Sequence, residues 1–443
     1  MANGQDRTPV LQSEDWWACF IGWFILLLAA IKLLPATPKM SMFSSSLSAA
    51  FPNGISTLWV TIGLFLFILV LGLIGGYFLK YDLKKFIPGF LVLFLLAFAA
   101  KMAQRFYIMD KWGIDEVIFA LVIGLIISNF FKVPQILRAA GQTEFFIKIG
   151  LVCMGANIMF TTIVKAGGVG IAQAVIVATT VWFMTYFICR AFKVSERFSS
   201  IIATANSICG VSATIAAGGA IQGDKKEVSY MVAWVLVCAV ILILVMPPIA
   251  VWLELPTQMA GAWIGGVIDN TGAVVAAGDL IPNSQGLPSE ASLKAAAMVK
   301  MAQNVLIGLV AFLMALWATL VLDRREHPET EAPSLWEVWH RFPKFVLGFI
   351  VASLLVSFLV VPSMGQTYAD GVGGACKHYR DWFFTLCFVS IGLETDFKEL
   401  VSVGGGRPAI AYWISQIANA FWTLFIVWLL WSGTFFTPAI LPD

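Results

Sequence analysis

The sequence predicts an all-α polytopic membrane protein: an inverted-topology repeat with two re-entrant or broken small-residue helices and about 11 spanning helices of roughly 20 residues each. Three observations predict this fold class. Of the 443 residues, 59% are hydrophobic and only 12% are charged, a composition typical of bilayer proteins. A small-residue motif occurs twice, at 212–218 and 272–278. A longer pattern is also duplicated, at a wider separation.

The spanning helices are predicted from apolar length, because about 20 apolar residues cross a hydrocarbon core of roughly 30 Å. The first apolar stretch is too long for the core of a signal peptide, and acidic residues precede it, so it is interpreted as a helix. The polar stretch 323–340 is interpreted as a loop, and no soluble domain is expected. The predicted spans are 16–34, 58–79, 86–107, 114–131, 145–164, 167–190, 228–252, 293–322, 343–362, 381–400 and 408–432.

The longer duplicated pattern combines glycine, phenylalanine and aliphatic residues. Gly155, Phe160, Ile163, Val164, Gly167 and Gly168 recur 237 residues later as Gly392, Phe397, Leu400, Val401, Gly404 and Gly405. Matches in one register indicate an internal duplication of three helices. An even number of predicted helices separates the middle members of the two triplets, so the copies have opposite orientations. We therefore expect a three-helix extension at 1–110, a first repeat at 111–260 and a second repeat at 261–443.

The small-residue segments, near 200–221 and 261–281, either cross the membrane or re-enter on one face. If both cross, Lys225 and Lys226 face outside while the loop 254–258, which lacks Lys and Arg, faces the cytoplasm. That arrangement opposes the positive-inside rule. Re-entry places most basic loops inside, with a cytoplasmic N-terminus, an outside C-terminus and tips that meet near the midplane. The basic residues that it leaves outside are Lys101, Arg105, Lys111, Lys377 and Arg380.

The two segments are the predicted substrate site, because paired Gly-interrupted segments in two halves are typical of secondary transporters. Short helices that begin at the tips direct their N-termini at an anion. The alternative is that small residues only allow close helix packing. The predicted substrate-binding residues are Asn206, Ser207, Cys209, Gly210, Ser212 and Thr214 in the first segment, and Asn270, Thr271 and Gly272 in the second.

Ion coupling is predicted at acidic residues in apolar segments. An acid at the centre of a span costs about 2.5–3.5 kcal/mol on insertion scales, so Asp269 needs a partner. Lys300 is the predicted partner, with Asn304 one turn farther on. The pair is interpreted as a proton relay, a cation site or a structural bridge. Glu394 and Asp396 supply carboxylates for Na⁺, or alternatively belong to a solvated charge cluster near the membrane surface.

Several of these motifs resemble the sulfate exporter family of bacterial inner-membrane transporters. The first segment, Ser207-Ile-Cys-Gly-Val-Ser-Ala213, is similar to the ICGASA signature of that family. The resemblance covers roughly 114–432, with further similar stretches at 124–129, 274–278, 345–349 and 391–393, at Lys300 and at 404–407. It implies an anion transporter with the architecture of the bile-acid, arsenite and riboflavin transporter superfamily, in which a core domain moves against a panel domain.

The chain also departs from the family pattern. Asp269, Asn270 and Ala273 stand where that pattern has a His, an acid and a Gln, and Gln303 replaces an Arg. The binding region is therefore less cationic, which widens the expected substrates from sulfate to sulfonates and carboxylates.

The predicted function is a secondary active transporter of a small anion in a bacterial inner membrane, working by alternating access of the elevator type. The alternatives are a Na⁺- or H⁺-coupled symporter of organic anions and an anion channel. An enzyme is not expected, because the H-E-x-x-H and G-x-S-x-G motifs are missing and no histidine lies in a predicted span. We predict no catalytic residue, no metal site and no cofactor beyond a coupling Na⁺ or H⁺. The expected partners are the anion and lipid, with a homodimer left open and nucleic acid excluded.

Overall fold

The computed structural model describes residues 10–44, 50–52, 54–107, 116–157, 160–221, 223–282, 290–318, 343–395 and 406–433. Within these ranges the chain is helical apart from turns, irregular connecting segments such as 35–42, and one isolated bridge between Phe43 and Phe106. It divides into two compact units. The first comprises Met1–Thr161 and Lys344–Asp396, and the second comprises Thr162–Pro343 and Phe397–Asp443. The predicted repeat boundaries divide the chain by sequence duplication instead, and they stay a prediction.

The helices of the first unit begin with α1. They are α1 (Glu14–Ala30), α2 (Ile55–Phe78), α3 (Leu83–Gln104), α4 (Glu116–Phe130), α5 (Gln135–Ala140), α6 (Thr143–Gly155) and α14 (Lys344–Leu355), which a π turn (Val356–Val360) joins to α15 (Val361–Met364), and α16 (Gln366–Glu394). The last helix begins well before the predicted span at 381, because the polar stretch before it is helical too. Glycines allow close packing here: a Cβ added to Gly124 of α4 would lie 2.4 Å from the Val389 carbonyl oxygen.

The helices of the second unit include four short ones that come in two pairs. They are α7 (Phe160–Ala191), α8 (Glu196–Ser207), α9 (Gly210–Ala220), α10 (Lys225–Trp252), α11 (Thr257–Val267), α12 (Thr271–Asp279), α13 (Ala291–Trp317) and α17 (Gly406–Trp431). The pair α8 and α9 occupies the first predicted small-residue segment, and the pair α11 and α12 occupies the second. Each segment is therefore an interrupted helix.

Seven of the described helices are long and apolar enough to cross a membrane: α2, α3, α10, α13, α17, the C-terminal part of α7, and α14 with its continuation to Met364. The remaining predicted spans correspond to helices that are shorter, such as α4, or more polar, such as α16. The count of eleven stays a prediction.

Ion pairs of buried basic side chains account for some of the basic residues that opposed the charge rule. In the first unit, Lys101 Nζ lies 2.7 Å from Glu116 Oε1. Arg380, which is 2% exposed, lies 2.7 Å from Asp381 Oδ1. Paired charges inside a helix bundle carry little information about the side of the membrane. Lys111 lies outside the described residues.

The N-terminal helix is an integral part of the first unit. Lys148 on α6 lies 2.7 Å from Glu14 Oε1 and 3.0 Å from Asp15 Oδ1, both in the first turn of α1. Farther along α1, the Trp23 indole donates a hydrogen bond of 2.9 Å to the Gly348 carbonyl of α14. The helix is thus held on two sides.

In the second unit, the positions of residues along α13 show where the interrupted helices contact it. It has 27 residues, and at 1.5 Å per residue it is about 40 Å long. Lys300 and Asn304 lie about 14 Å and 20 Å from its first residue. These two residues are therefore close to the middle of the helix.

The second interrupted helix is a hairpin against the N-terminal half of α13. Near the start of α11, a Cβ added to Gly261 would lie 2.2 Å from the Ser292 carbonyl oxygen. The turn of the hairpin reaches Asn304, whose side-chain amide donates a hydrogen bond of 3.1 Å to the Thr271 hydroxyl. Near the end of α12, a Cβ added to Gly278 would lie 3.0 Å from Ala296 Cβ. The chain therefore advances along α13 to its middle and returns.

The first interrupted helix is a hairpin on the other half of α13. Thr204 of α8 lies 2.9 Å from the Met314 sulfur, and Ala213 of α9 shares an apolar cluster with Ile307. At the open end, the Arg197 guanidinium donates to the Ile221 carbonyl, which joins the start of α8 to the end of α9. The two hairpins thus approach the middle of α13 from its opposite ends.

Candidate functional site

The hairpin tips form a junction at the middle of α13. Gly210 N–H, at the start of α9, donates a hydrogen bond of 2.7 Å to the Asp269 main-chain oxygen. The Cys209 sulfur lies 3.7 Å from Thr271 Oγ1. Glycine is required at position 210 because an added Cβ would lie 2.1 Å from a Val235 methyl carbon. The site is built on direct contact between the two interruptions.

Each tip is the start of a short helix. Asn270 caps α12, since its Oδ1 accepts a 3.0 Å hydrogen bond from Ala273 N–H, as asparagine commonly does at this position. Cys209 occupies the equivalent position before α9 and caps without a side-chain hydrogen bond. The N-terminal dipoles of α9 and α12 therefore meet at the junction, where they favour negative charge.

Three side chains of α13 contact the junction. Lys300 is 1% exposed, and its ammonium donates to the Ile208 carbonyl and, at 3.1 Å, to Gln303 Oε1. The Gln303 amide donates 3.2 Å to the Gly266 carbonyl. Asn304 binds Thr271, as described above. The spacing of 300, 303 and 304 places these side chains on one face of the helix.

Polar side chains of α17 contact the junction from another direction, and sequence reasoning missed them. Tyr412 donates 2.7 Å to Asp269 Oδ2, Gln416 donates 2.9 Å to the Val267 carbonyl, and Asn419 donates 3.3 Å to the Asn206 carbonyl. All three are at most 2% exposed. Their separations of four and three residues are a helical period within an apolar span, a signal that could have identified them.

The structure gives Asp269 a direct partner different from the one predicted. Its carboxylate accepts from the Tyr412 hydroxyl, while the Lys300 ammonium is bound by the Ile208 carbonyl and Gln303. The two predicted partners share the junction, but no direct ion pair between them occurs among the described residues. The Ile208 carbonyl is the C-cap of α8, so a negative helix end takes the place of the carboxylate beside Lys300.

Other predicted residues differ in their closeness to the junction. Ser207 is buried and donates 3.5 Å to the Thr204 carbonyl, and Thr214 donates to the Gly210 carbonyl within α9. Gly272 is buried in the first turn of α12, whereas Ser212 is partly exposed. Glu394 belongs to the first unit, where its exposed side chain accepts 2.8 Å from Thr143. Asp396 lies outside the described residues.

Three amide oxygens near the junction are buried without a hydrogen-bond partner among the described residues. They are Asn206 Oδ1, Asn304 Oδ1 and Gln416 Oε1. A buried acceptor without a hydrogen bond destabilises the folded state by about 1–3 kcal/mol. Water or a ligand is therefore expected to bind these three oxygens. The cost is concentrated where the two interrupted helices meet.

Comparison with known proteins places the chain in a family. The family model described as conserved hypothetical protein 698 matches residues 88–411. The chain belongs to this family. The match includes both hairpins and α13, while Gln416 and Asn419 lie beyond its end. No solved structure matches the chain.

Relatives with similar sequences are named UPF0324 membrane proteins. One from Rhodopirellula baltica is 36% identical over 390 residues, which are 86% of this chain and 70% of the relative. One from Nitratidesulfovibrio vulgaris is 36% identical over 414 residues, covering 91% and 68%. One from Nitrosomonas europaea is 28% identical over 467 residues, covering 93% and 94%. Together with the seven apolar helices, these relatives indicate a multi-pass membrane protein.

Proposed function

We propose that this protein is a secondary transporter of a small anion, with its substrate site where the two hairpins meet. The supporting observation is the approach of two interrupted helices from opposite ends of α13 to a shared junction at its middle. Interrupted helices that supply helix ends at mid-membrane are the usual substrate site of secondary transporters. In this proposal both segments are re-entrant, and the inverted repeat relates them.

An anion is favoured by the groups on one side of the junction. The N-termini of α9 and α12 carry partial positive charge, and Lys300 adds a full one. Thr271, Asn304 and the Cys209 thiol supply further donors within contact of one another. A sulfate-like anion, a sulfonate or a carboxylate matches these groups. Arginine, which favours planar bidentate recognition, is missing from the contacts described at the junction.

Alternating access is proposed as the mechanism. Lys300 holds the first tip through the Ile208 carbonyl, and an anion that binds the ammonium competes for that contact. Binding thereby changes what holds the two tips together. The second unit carries the whole site and is compact by itself, as a domain that moves as a body in an elevator mechanism must be.

Coupling to H⁺ or Na⁺, as in an organic-anion symporter, is the second candidate. The buried Asp269 carboxylate at the second tip favours it, because an acid at membrane depth is a usual element of ion coupling. The alternative to a carrier mechanism is an anion channel.

A ligand screen followed by a flux assay tests the proposal. Purified protein is heated with sulfate, sulfite, alkylsulfonates and carboxylates, each with and without Na⁺. A ligand at about 100 times its Kd stabilises the folded state by about 2.7 kcal/mol. The best ligand is then tested in proteoliposomes, where a carrier gives saturable flux and counterflow. Continuous conductance without saturation would indicate a channel, and a screen without any stabilising anion would contradict the proposal.

A further inference from the structure

A second type of binding environment lies on the α17 side of the junction. The helices α8 and α11 both end at the tips, and their C-terminal carbonyls carry partial negative charge. Asn419 binds the Asn206 carbonyl at the end of α8, and Gln416 binds the Val267 carbonyl at the end of α11. The N-terminal ends of α9 and α12 favour anions, whereas these ends favour a cation.

Two buried glutamines of the second unit make similar contacts, but only one of them has a hydrogen-bond partner for its side-chain oxygen among the described residues. Gln173 and Gln416 are 0% and 2% exposed, and each donates its amide to a main-chain carbonyl of α11. Because the acceptor is a carbonyl, the orientation of each amide group is fixed. Gln173 Oε1 then accepts 2.7 Å from the Trp431 indole. Gln416 Oε1 has no such partner among the described residues.

Two further oxygen-bearing residues are bound by the side chains one turn before and one turn after Gln416 on α17. Tyr412 is one turn before it on α17, and the hydroxyl of Tyr412 holds the Asp269 carboxylate. Asn206 Oδ1 is also buried without a partner among the described residues, and its main chain is bound by Asn419, one turn after Gln416. Adjacent turns of α17 thus bind the Asp269 carboxylate and the main chain of Asn206, with Gln416 between them.

The charge of this group favours a monovalent ion. Asp269 is the single carboxylate of this group and faces the proposed cation. The Lys300 ammonium keeps its charge while it donates to Ile208 and Gln303, and in the proposed function that charge is balanced by the bound anion. One negative charge with neutral oxygens balances one positive charge, and oxygen ligands suit hard cations. Helix C-terminal ends and unwound carbonyls at broken helices coordinate Na⁺ in transporters.

We propose that Asp269, Gln416 and Asn206 form a Na⁺ site on the α17 side of the junction, separate from the anion site at the N-termini of α9 and α12. The site deepens the proposed function, on which its role in coupling rests. Na⁺ bound there holds both hairpin tips to α17 and favours the arrangement that binds the anion.

Direct binding of ²²Na⁺ tests the site without any anion. Purified protein in choline chloride is titrated with NaCl, and saturable binding is measured by scintillation proximity. We expect Gln416→Leu and Asp269→Asn each to weaken binding at least tenfold. The matched control Gln173→Leu removes a glutamine whose oxygen already has a partner, so Na⁺ affinity should stay within twofold of the unsubstituted protein.

A conservative variant guards against misfolding. Gln416→Glu keeps an oxygen at the same position and, as the protonated acid, keeps the donor to the Val267 carbonyl. It should therefore retain saturable ²²Na⁺ binding even if Gln416→Leu does not fold. The site is refuted if the unsubstituted protein shows no saturable binding, if Gln416→Leu folds and binds normally, or if Gln416→Glu folds and fails to bind. Anion counterflow measured in choline separates the Na⁺ site from the proposed transport function. Counterflow in a protein that binds no Na⁺ refutes only the site. Na⁺ binding in a protein that shows no counterflow in any buffer refutes only the proposed function.

Discussion

The close contact at the first hairpin tip predicts the effect of a single methyl group. In Gly210→Ala, the new Cβ would lie 2.1 Å from one Val235 methyl carbon and 2.9 Å from the other. Overpacking of this kind costs about 1–3 kcal/mol. The displaced tip also loses alignment with the Asp269 carbonyl, to which Gly210 N–H donates at 2.7 Å.

The same helix offers a matched control for this substitution. A Cβ added to Gly219, near the end of α9, meets nothing within 4 Å. Gly219→Ala should therefore be neutral or stabilising by about 0.4–1 kcal/mol. Both variants change glycine to alanine in α9, so only the Val235 contact and the tip separate them.

Thermal unfolding of purified protein measures the difference. A change of 1 kcal/mol shifts the Tm of a domain of 150–250 residues by about 2–4 °C. Gly210→Ala should therefore lower the Tm by about 2–12 °C relative to the unsubstituted protein, and by about 2–16 °C relative to Gly219→Ala. Anion affinity should fall in the same variant, because the misaligned tip carries the N-terminus of α9. Equal Tm values and equal affinities for the two variants would refute the close contact of the tips.

Three other predictions concern topology, packing and the acid. Cysteines placed at Arg197 and Lys225 should be labelled from the same side of the membrane, and labelling from opposite sides would reject re-entry. Lys148→Met should lower the free energy of unfolding by about 1–3 kcal/mol, because it leaves the partly buried carboxylates of Glu14 and Asp15 without this partner. Lys85→Met, in an exposed pair, should change it by about 0–1 kcal/mol. Tyr412→Phe should cost about 1–3 kcal/mol by removing a donor from a buried carboxylate; an unchanged Tm would contradict this contact.

Local sequence patterns predicted the helices, the helix interruptions and the helix cap, because these features depend on residues close together in the chain. Apolar length located the seven described helices that are long and apolar enough to cross a membrane to within a few residues in most cases, and small-residue composition located both interrupted segments. Within those segments, Asn270 was predicted for its polar side chain and caps α12. Asp269 was predicted from the cost of a buried acid, and it lies at the second tip.

Long-range partners were beyond the reach of sequence reasoning. Asp269 was paired with Lys300 by opposite charge, whereas the Ile208 carbonyl occupies that lysine and Tyr412, 143 residues along the chain, binds the acid. A main-chain carbonyl is invisible in a sequence pattern, because every residue has one. Overall hydrophobicity defines the span that contains Gln416 and does not single this residue out; only the helical spacing of the few polar residues in that span would locate it.

Counterflow with a matched pair of lysine variants tests most directly the claim that a small anion is carried through the junction. Lys300→Gln removes the ammonium at the tips, and Lys294→Gln removes another buried lysine of α13, six residues nearer its start. Proteoliposomes loaded with the unlabelled anion from the screen are diluted into trace labelled anion. Transient accumulation of label is predicted for the unsubstituted protein and for Lys294→Gln, with a loss of at least tenfold in Lys300→Gln. Equal accumulation in both variants would contradict the account.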